Sequence, residues 1–472
     1  MTLTLGIDLG TSAVKCVALG PDGVVVASGQ SSFPTIRDEP GQAEQDPATW
    51  VSAAEAAVRQ AMAGRDDEVV GIGLTGQLPT LVCLAGGQVQ GRAITWMDAR
   101  ADDWAASRLD EAFRQKTYQL TGMPIDGRYL APMLAHHRAR YPSTIDCILS
   151  AKDYLCFALT GARVTDPSTA AGYGVFDFST GRWDDGLCRH WGLDMSLLPA
   201  IKPAASVVGV LSVSAAKRFG LAAGIPVYAG AADSAASAYA MTSLEAGTVS
   251  VTTGSSTVIM DATIHAQLDP KRRYLLTPHA RERVFGREMD LLSTGSSYRW
   301  LSELLGWQDG EIDRRAALSV PGAKGLFFAP YLAGGEQGAL WNPDLRGVLH
   351  GLTIQHKAQD IARAYVEGVQ FEIRRCIDIL AETQAVTRIV VAGHATAHPH
   401  TLQLLADIVG RPVTPYAHVS PAAIGAALIA MPEMTAHGRD ADTLAPSSAA
   451  GAYDDLYRRY CALFPRIAET SE

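Results

Sequence analysis

Two stretches in opposite halves of this 472-residue chain share one physical format, and that recurrence limits its fold more than any other feature. GIDLGTSAVKCVAL at 6–19 reads as strand, small-residue turn, strand, and GTVSVTTGSSTVIM at 247–260 reads the same way. The identity between them is weak. Length alone suggests roughly three units at about 150 residues each. Two equivalent openings suggest two large α/β domains instead, 1–243 and 244–472, each starting with its own turn. No shorter repeat of solenoid type is visible.

Composition supports a globular protein. Hydrophobic residues make up 47% and charged residues 19%, enough for a sizeable core without disulfide or metal staples. The 40 basic and 49 acidic residues leave a formal charge of −9, which gives no electrostatic reason to expect nucleic acid. An anionic ligand stays compatible, because backbone amides and hydroxyls hold phosphate inside acidic proteins. Seven scattered cysteines without a Cys-x-x-Cys pair read as reduced thiols of a cytoplasmic protein. The N-terminus lacks the basic lead of a signal peptide, and no apolar run is long enough for a membrane span.

The first segment reads as three short strands in a meander, with a hairpin turn at Pro21-Asp22-Gly23. This differs from the strand–helix–strand opening of a dinucleotide fold. Asp46 and Pro47 start a helix carrying Trp50, Ala54, Val58 and Met62 at near-helical spacing. A buried strand then runs into Gly76-Gln77, SAKDYLCFALTG at 150–161 is a helix, and a strand near 225 runs into Asp233 and a small-residue helix. Late in the chain, Ile361, Tyr365, Val369, Ile373 and Ile377 mark a long helix. TRIVVAGHAT is a strand ending in a glycine turn, followed by two further helices.

The candidate chemistry sits at strand ends. Gly10, Thr11 and Ser12 form a turn suited to phosphate oxygens, and Asp8 just before it suits a divalent ion held through water. Lys15 is either a phosphate contact or a surface strand lysine. Thr253, Gly254 and Ser255 make the matching turn of the second half. Asp233 is either a carboxylate that accepts a hydroxyl proton or the N-cap of the alanine-rich helix. Gln77 and Leu78 end one strand; Trp96, Asp98 and Arg100 follow another, with an ordinary helix start as the alternative. Lys152 reads as a surface residue early on its helix. The glycine-rich segment 334–347 is a bridging or tight structural loop. Gly393, His394 and Ala395 form a turn that can lie against a flat ring. The histidines at 394, 398 and 400 show no nearby acidic partner, and a metal site is not expected of them. The Asp8 turn carries no GxxxxGK[ST] and no GxGxxG motif, and no GxSxG elbow is present.

Taken together, GIDLGTSAVK at 6–15, Gly76-Gln77, WMDAR at 96–100, AGAADSAASA at 229–238, TTGSS at 252–256, LWNPDLRGVLHGL at 340–352 and AGHATAHPHTLQLLADIVGRPV at 392–413 resemble the FGGY carbohydrate kinases along essentially the whole chain. The resemblance implies two ribonuclease H-like (actin-like ATPase) domains flanking a catalytic cleft. By similarity, Asp233 is the catalytic base. Asp8 and Asp233 lie near Mg²⁺. Gly10, Thr11, Ser12, Lys15, Thr253, Gly254 and Ser255 serve the phosphates of ATP, and Gly393, His394 and Ala395 serve adenosine. Gln77, Leu78, Trp96, Asp98, Arg100 and Asp233 face the sugar. The implied reaction is ATP-dependent phosphorylation of a terminal hydroxyl, with D-xylulose to D-xylulose 5-phosphate first. Ribulose, glycerol, erythritol or gluconate types are alternatives, as is an actin-like nucleotide-binding protein without sugar turnover. A homodimer is a candidate assembly. The chain departs from the xylulokinase-like branch at Leu78-Pro79, where that branch has Met-His, at Ser234 in place of Asn, at Ala392-Gly393-His394-Ala395 in place of Gly-Gly-Gly-Ala, and at Ser420-Pro421, where an acidic residue is common.

Overall fold

The computed structural model describes residues 1–141, 144–308, 310–333, 339, 340, 342, 344–418, 420–431, 433, 434 and 442–463. Two mixed sheets organise it. The first contains β1 (Thr2–Leu9), β2 (Ala13–Leu19), β3 (Val25–Ser32), β4 (Glu68–Gly76), β5 (Val207–Val210), β6 (Pro226–Tyr228) and the short β7 (Ala231–Ala232). Its order is β5-β6-β4-β1-β2-β3, with β7 beside β4. The second contains β8 (Thr248–Thr253), β9 (Thr257–Thr263), β10 (Leu275–Pro278), β11 (Phe285–Leu291), β12 (Arg388–Gly393) and β13 (Val413–Pro415), in the order β10-β11-β9-β8-β12-β13.

The two sheets repeat one another. In each, the opening strand pairs antiparallel with the next and parallel with a strand from far along the chain. The correspondence reaches single residues: Leu9 faces Gly76 in the first sheet, and Thr253 faces Gly393 in the second. The opening strand is buried on both faces, which explains its near-continuous apolar reading.

Helices cover the sheets. α1 (Pro47–Ala61) starts where expected: the Asp46 carboxylate accepts from Ala48 N at 2.9 Å, and Pro47 takes the first turn, which needs no donor there. α2 (Ala151–Thr160) stops at Gly161 in the left-handed region. α3 (Asp233–Thr242), α4 (Glu311–Ala316), α5 (Ala358–Ala381), α6 (Pro399–Val409) and α7 (Pro421–Ile429) follow. Asp233 is the first helical residue of α3, and Ala232 holds the cap position, so the N-cap alternative fails. Half of the 334–347 segment, Trp341 and Pro343 included, lies outside the described residues. All seven cysteines are free thiols, six of them buried. No described helix is long and apolar enough to cross a membrane.

α7 comes from the end of the chain yet packs against α3 and the first sheet. Its side chains are almost all Ala, Gly, Ile and Leu, and nearly all are buried. Glycines set the spacing. A Cβ on Gly73 would sit 1.8 Å from Ala426 O, and one on Gly6 would sit 1.9 Å from Ala423 O. On the other side of α7, a Cβ on Gly425 would lie 1.9 Å from Ala236 O of α3. Backbone meets backbone at all three points, so no rotamer change can relieve a clash. Gly73→Ala is therefore expected to cost about 2–3 kcal/mol, read as a lowered thermal midpoint. An unchanged midpoint would show that the approach is looser than these distances.

Candidate active site

A cavity of about 220 Å³ lies between the two sheets. Thr11, Leu78, Pro79, Trp96, Arg128, Tyr129, Gly172 and Asp233 line it from the first half, and Ser256, Val258, Glu288 and Asp290 from the second. Gly172 makes room for its neighbour: a Cβ there would lie 2.4 Å from Leu78 Cδ1.

The first turn closes on itself. Gly10 N donates to Ala13 O at 3.1 Å, which leaves Thr11 and Ser12 at the tip. Gln45, fully buried, braces the turn from behind. Its Nε2 donates to Thr11 O and to Thr35 Oγ1, both at 2.8 Å, and its Oε1 accepts from Gln77 Nε2 at 2.8 Å. Gln77 thus spends its amide on Gln45 and does not line the cavity. Trp96 does line it, and its Nε1 reaches Thr11 Oγ1 at 3.4 Å. Lys15, on β2, lies directly opposite Asp8 of β1 and is part-buried.

Asp98 and Arg100 depart from the sugar-facing expectation. Neither lines the cavity. Asp98 is buried, accepts from Ala43 N at 2.9 Å and pairs with Arg100 Nη2 at 2.6 Å, while the same nitrogen reaches Glu44 at 2.7 Å. Burial pushes the Asp98 carboxyl up, but these partners more than compensate and hold it below the usual range. The pair pins the chain after Trp96 and leaves no acceptor spare for a hydroxyl.

The carboxylates that do face the cavity are Asp233, Glu288 and Asp290. Glu288 and Asp290 stand two apart on β11, so both point to one face. That alternation in GREMDL was the available signal, and sequence reading passed over it. Ser234 Oγ bonds Glu288 Oε2 at 3.1 Å and Ser234 N bonds Asp233 Oδ1 at 2.9 Å, linking the two halves. Burial, helped by the Asp8 charge, pushes Asp233 up to about 7. Burial raises Asp290 to about 6, with Arg128 pulling back, and raises Glu288 well above its ordinary value, with Asp290 adding to it. Asp8 is raised to about 6 by burial against the pull of Lys15, and its Oδ1 is buried without a hydrogen-bond partner. Crowded carboxyls with an orphaned Asp8 oxygen fit a divalent cation and the hydroxyls of a substrate.

Lys152 is not a surface residue. It is 1% exposed, and its ammonium bonds Asp153 at 2.8 Å and Ala229 O at 2.8 Å and lies 3.2 Å from Asp166. These two acids hold its charge against the burial that opposes it, which a surface reading of an early helical lysine could not foresee. Asp166 holds Ser168, whose hydroxyl accepts from Ala232 N at 2.9 Å, while Thr75 Oγ1 donates to Ala231 O at 2.7 Å. The strand end that presents Asp233 is thus fixed by three buried polar groups.

In the second half, Gly254 N donates to Ser256 O at 2.8 Å, closing the turn as Gly10 does in the first. Thr253 Oγ1 donates to Ala392 O at 2.8 Å and accepts from Ala395 N at 3.0 Å. One hydroxyl therefore ties the Thr253-Gly254-Ser255 turn to the Gly393-His394-Ala395 turn. Gly393 is required there: its φ is +90°, and a Cβ would lie 1.9 Å from Thr253 O. His394 turns toward His398 and Asp313 of α4, an acid the local sequence does not show.

Family models bear on this arrangement. The N-terminal domain model of the FGGY family of carbohydrate kinases matches residues 3–240, and the C-terminal domain model matches 249–434. The chain belongs to the FGGY family of carbohydrate kinases. A glycerol kinase of Gloeobacter violaceus is 33% identical, over 90% of this chain and 87% of its own. A xylulose kinase of Escherichia coli is 31% identical, over 86% and 85%. The structure of a xylulose kinase from Rhodospirillum rubrum superimposes with a TM-score of 0.89 at 28% identity, covering 99% of both chains. It is an ATP-dependent carbohydrate kinase acting on a sugar or polyol.

Two outcomes test the site's energetics. Lys152→Met leaves Asp153 and Asp166 facing one another without their cation, and is expected to cost about 3–5 kcal/mol, read by denaturant unfolding; a loss below 1 kcal/mol would mean the acids simply take up protons. Asp233 titrates well above its ordinary 3.8. The folded state therefore keeps a proton that the unfolded chain releases, and stability is lost as pH rises from about 4 to about 7. In protein freed of metal with EDTA, Asp233→Asn should raise the thermal midpoint by a few degrees at pH 8. That gain should fade toward zero near pH 4, and a pH-independent difference would contradict it.

Proposed function

We propose that the chain transfers the terminal phosphoryl group of ATP to a terminal hydroxyl of a small neutral ketose or polyol, with D-xylulose the first candidate. The observation that carries this is Asp233, set at the junction of the cavity and the Asp8 turn. In the step, the hydroxyl oxygen bonds to the transferred phosphorus, its proton passes to the Asp233 carboxylate, and the bond to the departing ADP breaks. Asp233 orients the hydroxyl, while the Gly10-Thr11-Ser12 and Thr253-Gly254-Ser255 turns approach the phosphates from the two sheets. Asp8 and Asp233 fit Mg²⁺, which when bound with ATP supplies neutralisation of phosphate charge. The division at 1–243 and 244–472, and the ribonuclease H-like (actin-like) reading, are supported by the one order and direction that five strands follow in each sheet, β3-β2-β1-β4-β6 and β11-β9-β8-β12-β13.

The cavity also favours a neutral substrate over a sugar acid. Three carboxyl groups face it. Arg128, the one arginine among the described lining residues, already gives Nε to Asp126 at 3.1 and 3.2 Å. A gluconate-type anion would find no free cation among the described lining residues. The volume, below the roughly 300–1,000 Å³ of drug-sized pockets, suits a small polyol. Two of the relatives are named for neutral compounds, glycerol and xylulose, while a gluconate kinase from Lactobacillus acidophilus shares the fold at 24% identity. Leu78 and Pro79 form an apolar wall, and Asp233, Ser234, Glu288 and Asp290 are among the polar groups that can take the hydroxyls.

Measuring ADP release with D-xylulose, D-ribulose, glycerol, erythritol and gluconate tests the reading. One or more neutral compounds should stimulate it well above gluconate. Asp233→Ala should lower turnover by about 10²–10⁴-fold while ADP still binds. Near-wild-type turnover of that variant would remove Asp233 from its role, and a preference for gluconate would overturn the neutral-substrate reading.

A further inference from the structure

Outside the cavity, Asp313, His394 and His398 come together from distant parts of the chain. One ligand atom from each lies within 4.8 Å of the others. Asp313 sits on α4 and is 4% exposed. Its Oδ1 is held by Thr401 Oγ1 at 2.5 Å and Tyr298 OH at 3.4 Å. Its Oδ2 is buried and has no hydrogen-bond partner. His398 Nε2 lies 3.6 Å from that oxygen and His394 Nε2 lies 3.8 Å from it. These are ion-pair separations, with both imidazoles facing the carboxylate. They are close to the roughly 3.3–3.5 Å between neighbouring ligands around a tetrahedral ion with bonds of about 2.0–2.2 Å.

We infer that Asp313, His394 and His398 form a binding site for a transition-metal dication of the zinc class. Two imidazoles and one carboxylate suit such an ion and do not suit Mg²⁺, which prefers an all-oxygen shell. Three protein ligands leave a fourth position open, as in zinc sites that keep a water. The carboxylate is already oriented by Thr401 and Tyr298 through its other oxygen, the outer support that metal ligands commonly have. Access is provided on the histidine side, where the His394 side chain is 44% exposed and that of His398 18%. His394 and His398 stand four apart with a 3₁₀ turn at His394–Ala397 between them. The ion would fasten this turn, which Thr253 already holds at Ala395 N, to α4.

Titration of untagged, EDTA-treated protein with Co²⁺ tests the site, since tetrahedral Co²⁺ absorbs strongly in the visible region. One equivalent should bind with a tetrahedral spectrum and be displaced by Zn²⁺. His398→Gln and Asp313→Asn should weaken binding by at least about tenfold, and His350→Gln, an exposed histidine elsewhere, should leave it unchanged. Zn²⁺ should also raise the thermal midpoint of the wild type and not that of His398→Gln. His398→Gln alters a partly exposed turn, so it carries the test even if Asp313→Asn fails to fold. A flat Co²⁺ titration, a six-coordinate spectrum, or equal binding by wild type and His398→Gln would overturn the site and leave the three residues as an ion-pair cluster.

Discussion

The close approach of α7 to both α3 and the first sheet is the contact on which the rest of the structure depends. It requires glycine at three points and alanine between them, and it positions two carboxylates at once. Asp233 opens α3, which packs on α7, and Asp8 lies on β1, whose Gly6 admits α7. A bulkier interface would move the two acids apart, and the raised titration of Asp233 depends partly on the nearness of Asp8. Packing and chemistry share one geometric cause here: small side chains bring backbones together, and the backbones carry the acids.

The pseudo-symmetry of the sheets explains why the site has two kinds of turn and not one. In each sheet the opening strand ends opposite a glycine of a parallel neighbour, Gly76 or Gly393. The residues just beyond have diverged. Gln77 points inward and bonds Gln45, stabilising the turn behind the cavity. His394 points toward α4 and its acid. One strand arrangement, used twice, thus gives a rigid turn on one side and a more exposed, polar turn on the other.

Much of this was legible in the sequence because it is local. The paired openings, the meander, the Asp46–Pro47 helix start, the strand that reaches Asp233 and the long α5 all follow from turn residues and periodicity within short windows. What was not legible depends on partners far away. Lys152 reads as exposed until Asp166 and Ala229 close over it. Asp98 looks available until Ala43, Glu44 and Arg100 occupy its oxygens. His394 and His398 were separable from their acid only because Asp313 lies on another helix. Glu288 and Asp290 did carry a local signal, two acids alternating on a strand, but nothing local said that their face was turned to a cavity. The packing of α7 on the first sheet is the extreme case, since it joins the end of the chain to its beginning.

That same packing has a mechanical side. Where helices meet through bare backbone, the atoms are already at packing contact and no side chain can take up slack, so a displacement of α7 is passed to α3 and to the first sheet together. The two acids therefore ride on one stiff unit, Asp233 at the start of α3 and Asp8 on β1.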